Sequence, residues 1–475
     1  MLSEIKGLNE ECGIFGVWGH KDAAQLAYYG LHSLQHRGQE GAGIVAKEGE
    51  NLKRHRGLGL IADVFGHNEL DQLSGDAAIG HVRYSTAGGN ELNNVQPFLF
   101  HFHSHSMALA HNGNLINSKT LKRELEEKGS IFSTSSDTEV LAHLIARNKT
   151  ESLMESLKIS LNQVKGGFAY LLLTDKEMIA ALDPNGFRPL SIGKIDGAYV
   201  VASETCAFDV IGAEFIRDVE PGEIVRIDET GIHSERFTED INPALCSMEY
   251  IYFARPDSNI KGINVHTARK NMGKTLAKES PVEADMVIGV PDSSISAAMG
   301  YAETSGLPYE LGLIKNRYVA RTFIQPSQEL RELGVKMKLS AVSGVVKDKR
   351  VVMIDDSIVR GTTSKRIVNL LREAGAKEVH VRIASPPLKY PCFYGIDIQT
   401  KDELIAANHS VEEIRQIINA DTLEFISEDG LINSIGKPYP DAKYGGLTMA
   451  YFNGDYPTEL YDFSEEAGEA LFECC

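Results

Sequence analysis

The chain has 475 residues, 43% of them hydrophobic and 24% charged, and its 48 basic against 66 acidic residues leave a net charge of -18. One hydrophobic core stops growing at roughly 250–300 residues, so two domains are expected. The acidic balance excludes a general nucleic-acid or anionic-membrane surface while allowing a local anion site, and no apolar run reaches the roughly 18 residues of a membrane span.

Residues 1–11, "MLSEIKGLNEE", are too polar and acidic for a secretory signal. The six cysteines, at 12, 206, 246, 392, 474 and 475, follow no disulfide spacing. Reduced thiols in the cytoplasm are therefore expected. From Cys12 to about residue 230, short apolar or alternating segments recur between turn signals: "AGIVAKE", "SMALAHNG", "GFAYLLLTD", "MIAALDPNG", "AYVVASE" and "GEIVRID". Helical patterns such as "DTEVLAHLIARN" lie between them. This grammar predicts stacked antiparallel sheets with helices outside, an α+β layered domain over 12–231.

The same half holds pieces that suit one chemistry. Cys12 opens the strand-like "CGIFG"; "LQHRGQEGAGI", "GHVRYSTAG", "AHNGNL" and "SSDTEV" follow. Each alone is ordinary turn or hairpin material. Together they supply what a thiol needs to attack an amide: an oxyanion hole and clamps for the substrate's charged end. Asn112 can offer a side-chain amide and Gly113 a backbone N–H to the oxyanion; Arg83 can pair with an α-carboxylate and Asp137 with an α-ammonium. The substrate so described is glutamine.

The stretch 231–248 is the expected join, and from 249 the order becomes strand, loop, helix. In "VVMIDDSIVRGTTS" an apolar strand ends at Asp355 and Asp356, and Gly361, Thr362, Thr363 and Ser364 lead into a helix. That helix carries Ile367, Val368, Leu370, Leu371 and Ala374 on one face. An all-apolar strand such as "RVVMI" suits a parallel sheet covered on both faces. Loop amides and hydroxyls at a helix start can hold a phosphate, and the acids can accept from sugar hydroxyls or help hold hydrated Mg2+. Ser293, ending the strand in "GVPDSS", can add an oxygen near the metal. The basic run 315–338 reads either as a lid over pyrophosphate or as a solvated loop. No G-x-x-x-x-G-K-[ST] or strand-linked G-x-G-x-x-G competes.

The order of the first set of motifs behind an early cysteine resembles the class II glutamine amidotransferases, and "VVMIDDSIVRGTTS" resembles the phosphoribosyl-pyrophosphate motif of type I phosphoribosyltransferases. Joined, and with "EYIYFARPDS" and "RTFIQPSQELR", they resemble the amidophosphoribosyltransferase family over nearly the whole chain. The resemblance implies an N-terminal-nucleophile αββα sandwich followed by an α/β phosphoribosyltransferase domain over 249–475. It implies Cys12 as the first residue of the mature chain, with 1–11 a propeptide. The base would then be Cys12's own amine, whose pKa of about 8 lies near the thiol's roughly 8.5. It further implies that ammonia from glutamine displaces pyrophosphate from phosphoribosyl pyrophosphate, with Mg2+, opening purine synthesis. A homotetramer and inhibition by purine nucleotides belong to the same expectation.

One subgroup of that family carries a [4Fe-4S] cluster on four cysteines. Cys246 and Cys392 match two positions, but Thr448 and Tyr451 stand where the other two thiolates are expected. Two thiolates do not complete such a site, and the adjacent Cys474 and Cys475 do not reproduce its spacing, so no cluster is expected. Two rival readings remain. An ammonia acceptor other than a phosphoribosyl group would require a different second half, and a regulator could sense phosphoribosyl pyrophosphate without turnover.

Overall fold

The computed structural model describes residues 12–84, 91–102, 106–148, 150, 152–316, 339–396, 398 and 400–464. The expected propeptide, most of the basic run, Cys474, Cys475 and the acidic tail lie outside these.

Two antiparallel sheets form the first half. Seven strands run side by side in the order Glu214–Asp218, Ser191–Ile195, Ala198–Ala202, Gly13–Trp18, Ala77–Arg83, Gly41–Glu48 and Asn51–Leu58. Six more follow the order Gly231–Arg236, Glu223–Asp228, Met178–Leu182, Gly166–Leu173, Ser106–Leu115 and Phe98–His101. Strand alternation decides which side chains meet. Ile14, Ala77 and Ile79 from one sheet share a core with Ala108, Ala110, Ala169 and Leu171 from the other. On the outer face of the seven-stranded sheet, Phe15 and Val17 pack under helices Ala23–Ser33 and Cys206–Ile211. On the outer face of the second, Leu109, Phe168 and Leu172 pack under Thr138–Arg147 and Leu153–Gln163. The layers are thus helix, sheet, sheet, helix, as the sequence predicts.

The second half is built on a four-stranded parallel sheet, ordered Met286–Gly289, Arg350–Asp355, Glu378–Ile383 and Thr422–Phe425. Val352 and Ile354 face helices Val265–Glu279 and Ile295–Ser305, while Val351 and Met353 face Thr362–Glu373 and Val411–Ile418. The first pair of helices touch backbone to backbone at two glycines. A Cβ on Gly273 would lie 1.8 Å from the Ala297 carbonyl oxygen, and one on Gly300 1.9 Å from that of Lys270.

The halves interlock rather than meeting at one linker. The six-stranded sheet continues through Gly231–Arg236, into the stretch read as the join. Leu245–Cys246 then pairs in parallel with Leu447–Thr448. Late segments return onto the first half: Asn114 donates to the Phe393 carbonyl (2.8 Å), Arg188 donates to that of Tyr394 (2.6 Å), and Asp462 accepts from the Lys119 amide (2.7 Å). Among the described residues no helix is long and apolar enough to cross a membrane.

Candidate active sites

Cys12 sits one residue before strand Gly13–Trp18, and continuing the Gly13–Val82 pairing sets it opposite Arg83. It has the same parity as Ile14 and so turns to the space between the sheets, where its thiol reaches the Tyr84 carbonyl at 3.4 Å. Arg83 shares parity with Ala77 and Ile79, and Asn112 with Ala108 and Ala110, so all three project into that space where its apolar lining ends. A bond between His81 Nε2 and the His111 carbonyl ties the two sheets together here at 3.1 Å. Burial, reinforced by the Arg83 charge, pushes the His81 pKa down to about 3, so Nε2 donates from a neutral ring.

Asn112 is fully buried, yet among the described residues neither its amide nitrogen nor its oxygen has a partner. An orphaned amide in a packed interior costs about 1–3 kcal/mol, so a ligand group is what it is built to meet. Gly113 beside it has φ +143°, and a Cβ there would fall 2.1 Å from the Gly167 carbonyl oxygen. No other residue fits. Asp137, just before helix Thr138–Arg147, accepts from the Leu115 amide at 2.8 Å. Burial would raise its pKa, but His111 and the Leu115 and Thr138 amides outweigh that and hold it below the usual range. Asp137 lines a 340 Å³ cavity with Lys119, Lys122 and Phe463, and lies 3.8 Å from His111, the neighbour of Asn112; Cys12, Arg83 and Asn112 are not part of that cavity's lining.

The acids of the second site end the central strand Arg350–Asp355. Ser294 donates to Asp355 at 3.1 Å, Ser293 donates to Asp356, and Ser357 does so at 2.8 Å. Burial pushes both carboxyl pKa values up, that of Asp355 further because Asp356 is beside it; at Asp356 the Ser293 and Ser357 hydroxyls and the Arg269 charge oppose the rise. Such a pair invites a cation. Gly361 precedes helix Thr362–Glu373 with φ +74°, and a Cβ there would meet Ile405 at 2.7 Å. The tight turn starts a 12-residue helix whose first residues line the same cleft as the acids. Asp355, Asp356, Ser293 and residues 361–364 line one cleft of 390 Å³. The cleft brings together the residues that the sequence reading placed in one site. Ser293, read from the sequence as an oxygen near the metal, donates to Asp356.

Several residues to which the sequence assigns no role connect the two sites. Arg37, 1% exposed, donates from Nε to the Cys12 carbonyl (3.1 Å), from Nη1 to Glu204 (2.7 Å) and to Glu249 (2.9 Å), and from Nη2 to Glu249 (2.7 Å). Arg269, buried in the wall of the cleft, stays within the second half and donates to the Tyr250 and Ala254 carbonyls. Burial pulls its pKa down to about 10. Only the "HR" of "LQHRGQ" could have pointed to Arg37.

At the positions where the resembling subgroup would hold its cluster, Cys246 and Cys392 are buried and free of disulfides. The Tyr451 hydroxyl, buried here, lies 2.6 Å from Ser247 Oγ and 3.6 Å from Cys246 Sγ, and accepts from the Met248 amide at 3.2 Å. Thr448 pairs with Cys246 in the parallel ladder. Among the described residues no three His, Cys, Asp or Glu side chains form a metal group. Two thiols and a hydrogen-bonded phenol do not fit a four-iron cluster.

Residues 81–210 match the glutamine amidotransferase domain and residues 264–385 the phosphoribosyl transferase domain. The chain is 67% identical over 462 residues to the amidophosphoribosyltransferase of Bacillus subtilis (strain 168), covering 97% of each. It is 58% identical to that of Staphylococcus aureus (strain Mu50), covering 97% of this chain and 94% of the relative. Its fold matches the glutamine phosphoribosylpyrophosphate amidotransferase from B. subtilis complexed with ADP and GMP, with TM-score 0.91, 66% identity, and 95% and 98% of the two chains covered. A structure described as the allosteric regulatory enzyme of purine biosynthesis matches with TM-score 0.92 and 65% identity, covering 97% and 99%.

Fold and sites thus define a two-domain enzyme that joins a glutamine amidotransferase to a phosphoribosyltransferase. The chain belongs to the amidophosphoribosyltransferase family. This family catalyses the first step of purine biosynthesis: ammonia from glutamine replaces pyrophosphate on 5-phosphoribosyl 1-pyrophosphate, giving 5-phosphoribosylamine, glutamate and pyrophosphate. The sensor reading finds no support in a match of this extent.

Proposed function

We propose that Cys12 is the glutaminase nucleophile and that Asn112 and Gly113 receive the oxyanion, with Arg83 and Asp137 holding the α-carboxylate and α-ammonium of glutamine. The carrying observation is the buried, unpartnered Asn112 amide in the inter-sheet space that Cys12 also faces. The thiol gains a base when cleavage after Glu11 frees the Cys12 amine. In the second half, Gly361, Thr362, Thr363 and Ser364 take the 5-phosphate, and Asp355 and Asp356 take the ribose hydroxyls. Phosphoribosyltransferase domains typically use Mg2+. The raised carboxyl pair and Ser293 fit it, with most of the metal's oxygens left to substrate and water. Bound Mg2+ would neutralise charge developing on the leaving pyrophosphate.

Domains over 12–231 and 249–475, with 1–11 removed, remain our division of the chain, except that the first runs on through strand Gly231–Arg236. The cluster is omitted from the mechanism because Tyr451 and Thr448 replace two ligands. Purine nucleotides are proposed inhibitors, supported by the ADP and GMP of the B. subtilis structure. The exposed Val210, Phe215 and Ile216 favour self-association, in line with the homotetramer that the resemblance implies. Buried cysteines without a disulfide among the described residues favour the cytoplasm.

The test is glutamate release from glutamine with and without phosphoribosyl pyrophosphate and Mg2+, beside a mass measurement of the N-terminus. Release that rises with the second substrate, from a chain starting at Cys12, is expected. No release from a chain so trimmed would overturn the assignment of the nucleophile.

A further inference from the structure

The phosphoribosyl cleft takes part of its wall from the first half. His36 lies in the short turn Gln35–Arg37 after helix Ala23–Ser33, yet it lines the 390 Å³ cleft together with Arg255, Ser293, Asp355 and Asp356. Its side chain is 24% exposed. Its Nε2 stands 2.7 Å from Glu204 Oε1, the oxygen that also accepts from Arg37 Nη1 at 2.7 Å. Arg37 in turn holds the Cys12 carbonyl at 3.1 Å. A single buried carboxylate therefore joins a side chain on the cleft wall to the one that fixes the nucleophile's backbone.

Glu204 is locked in place. Its other oxygen accepts from Ser258 Oγ at 2.6 Å and from the Arg255 amide at 2.9 Å, and both of these donors follow the turn 249–253. Burial would raise its pKa, but His36, Arg37 and Ser258 hold it far below the usual range, so it is an anion. His36 Nε2 must then donate to it. The second ring nitrogen, Nδ1, has no partner among the described residues. In a saturated buried network, a change in one bond is carried to the others.

We propose that His36 is a positioning residue through which occupancy of the phosphoribosyl cleft adjusts the glutaminase nucleophile. This rests on the placement of phosphoribosyl pyrophosphate in that cleft given above. A phosphate oxygen of the substrate accepts from His36 Nδ1 and draws the ring toward the cleft. The bond from Nε2 to Glu204 shifts with it, the hold of Glu204 on Arg37 changes, and Arg37 moves with the Cys12 carbonyl it holds. An empty cleft leaves the nucleophile in a different setting from a filled one.

Two variants of the full chain test this, His36→Ala and His36→Gln. The glutamine amide nitrogen can replace Nε2 as the donor to Glu204, but nothing replaces Nδ1. The readout is the ratio of glutamate release with phosphoribosyl pyrophosphate and Mg2+ to release without them, alongside ammonia-dependent phosphoribosylamine formation and the melting temperature. In both variants the ratio is expected to fall by about 5-fold or more, the lower end of usual coupling between sites. That fall should exceed any change in ammonia-dependent kcat/KM, and His36→Gln should melt as the wild type does. A ratio within two-fold of wild type in His36→Gln overturns the proposal, whether or not His36→Ala loses it, because the role would then be structural support. A wild-type chain whose glutamate release ignores the substrate, while ammonia-dependent synthesis proceeds, overturns the coupling alone. Failure of ammonia-dependent synthesis in the wild type would instead remove the placement of the substrate, and the proposal with it.

Discussion

The two sites solve the problem of holding polar groups for a ligand in opposite ways. In the inter-sheet space Asn112 is sealed in with both amide atoms unpartnered, and Gly113 has no room to change. In the cleft, Asp355 and Asp356 are capped by Ser294, Ser293 and Ser357, and the 361–364 turn lies at the open end. The first arrangement bears an unpaired cost in advance so that a developing oxyanion meets fixed donors. The second keeps its charges satisfied, and a cation must compete with hydroxyls for them. A rigid slot suits a step in which charge appears on one atom; a cleft with adaptable partners suits a large anion that brings its own metal.

The contrast can be broken most sharply at Cys12. Cys12→Ala should lower glutamine-dependent phosphoribosylamine synthesis by about 10⁴-fold or more, as loss of a nucleophile does, and leave ammonia-dependent synthesis within about 3-fold; a comparable loss of both would mean that the sites are not separate. Asp355→Asn should reverse the pattern, lowering both activities together by about 10²-fold, the scale of a lost electrostatic contact in a transition state. Assays with either nitrogen source distinguish the outcomes.

A smaller effect sharpens the comparison where the halves are sewn together. Tyr451→Phe leaves the Met248 amide without its acceptor and Ser247 Oγ with only the Thr448 carbonyl. The expected cost is about 1–3 kcal/mol, read as a lower urea midpoint at unchanged slope. The smallest effect is on pH dependence beside the first site. Glu139 accepts from the Ser133 and Thr134 amides at 3.0 and 2.8 Å and lies 3.6 Å from His143. Burial would raise its pKa, but His143 and these donors bring it down to about 2. Because the folded value is below the unfolded one of about 4.3, its contribution is present above that pH and fades as pH falls toward 2. Glu139→Gln should flatten the urea midpoint between pH 4.5 and 2; an unchanged slope would assign acid sensitivity to other carboxylates.

What was legible in the chain follows from how local each feature is. The strand Gly166–Leu173 was plain because every residue is buried, with alternate side chains in the two cores. Asn51–Leu58, "NLKRHRGL", was not read as a strand. It is the edge of its sheet, and charged residues replace the apolar alternation that marks an inner strand. Gly231–Arg236 is also an edge, largely exposed, and it was taken for a linker. The acids and the Gly-Thr turn were readable because they lie within one short run. The Arg37 network was not, because its partners stand 167 and 212 residues away and ordinary Glu residues carry no mark of their destination.

That network also bears on how the chain could be divided. Arg37 belongs to the half that holds the thiol, yet two of its hydrogen bonds, at 2.9 and 2.7 Å, end on Glu249, where the other half begins. A gene cut at the boundary would leave Arg37 in the first fragment with Glu204 but without both bonds to Glu249, and would leave Glu249 in the second fragment deprived of that partner. Removing one member of such a buried pair costs about 3–5 kcal/mol. Fission of this enzyme into two freely diffusing proteins is therefore opposed by the interior of the molecule itself, independently of any advantage in passing ammonia between sites.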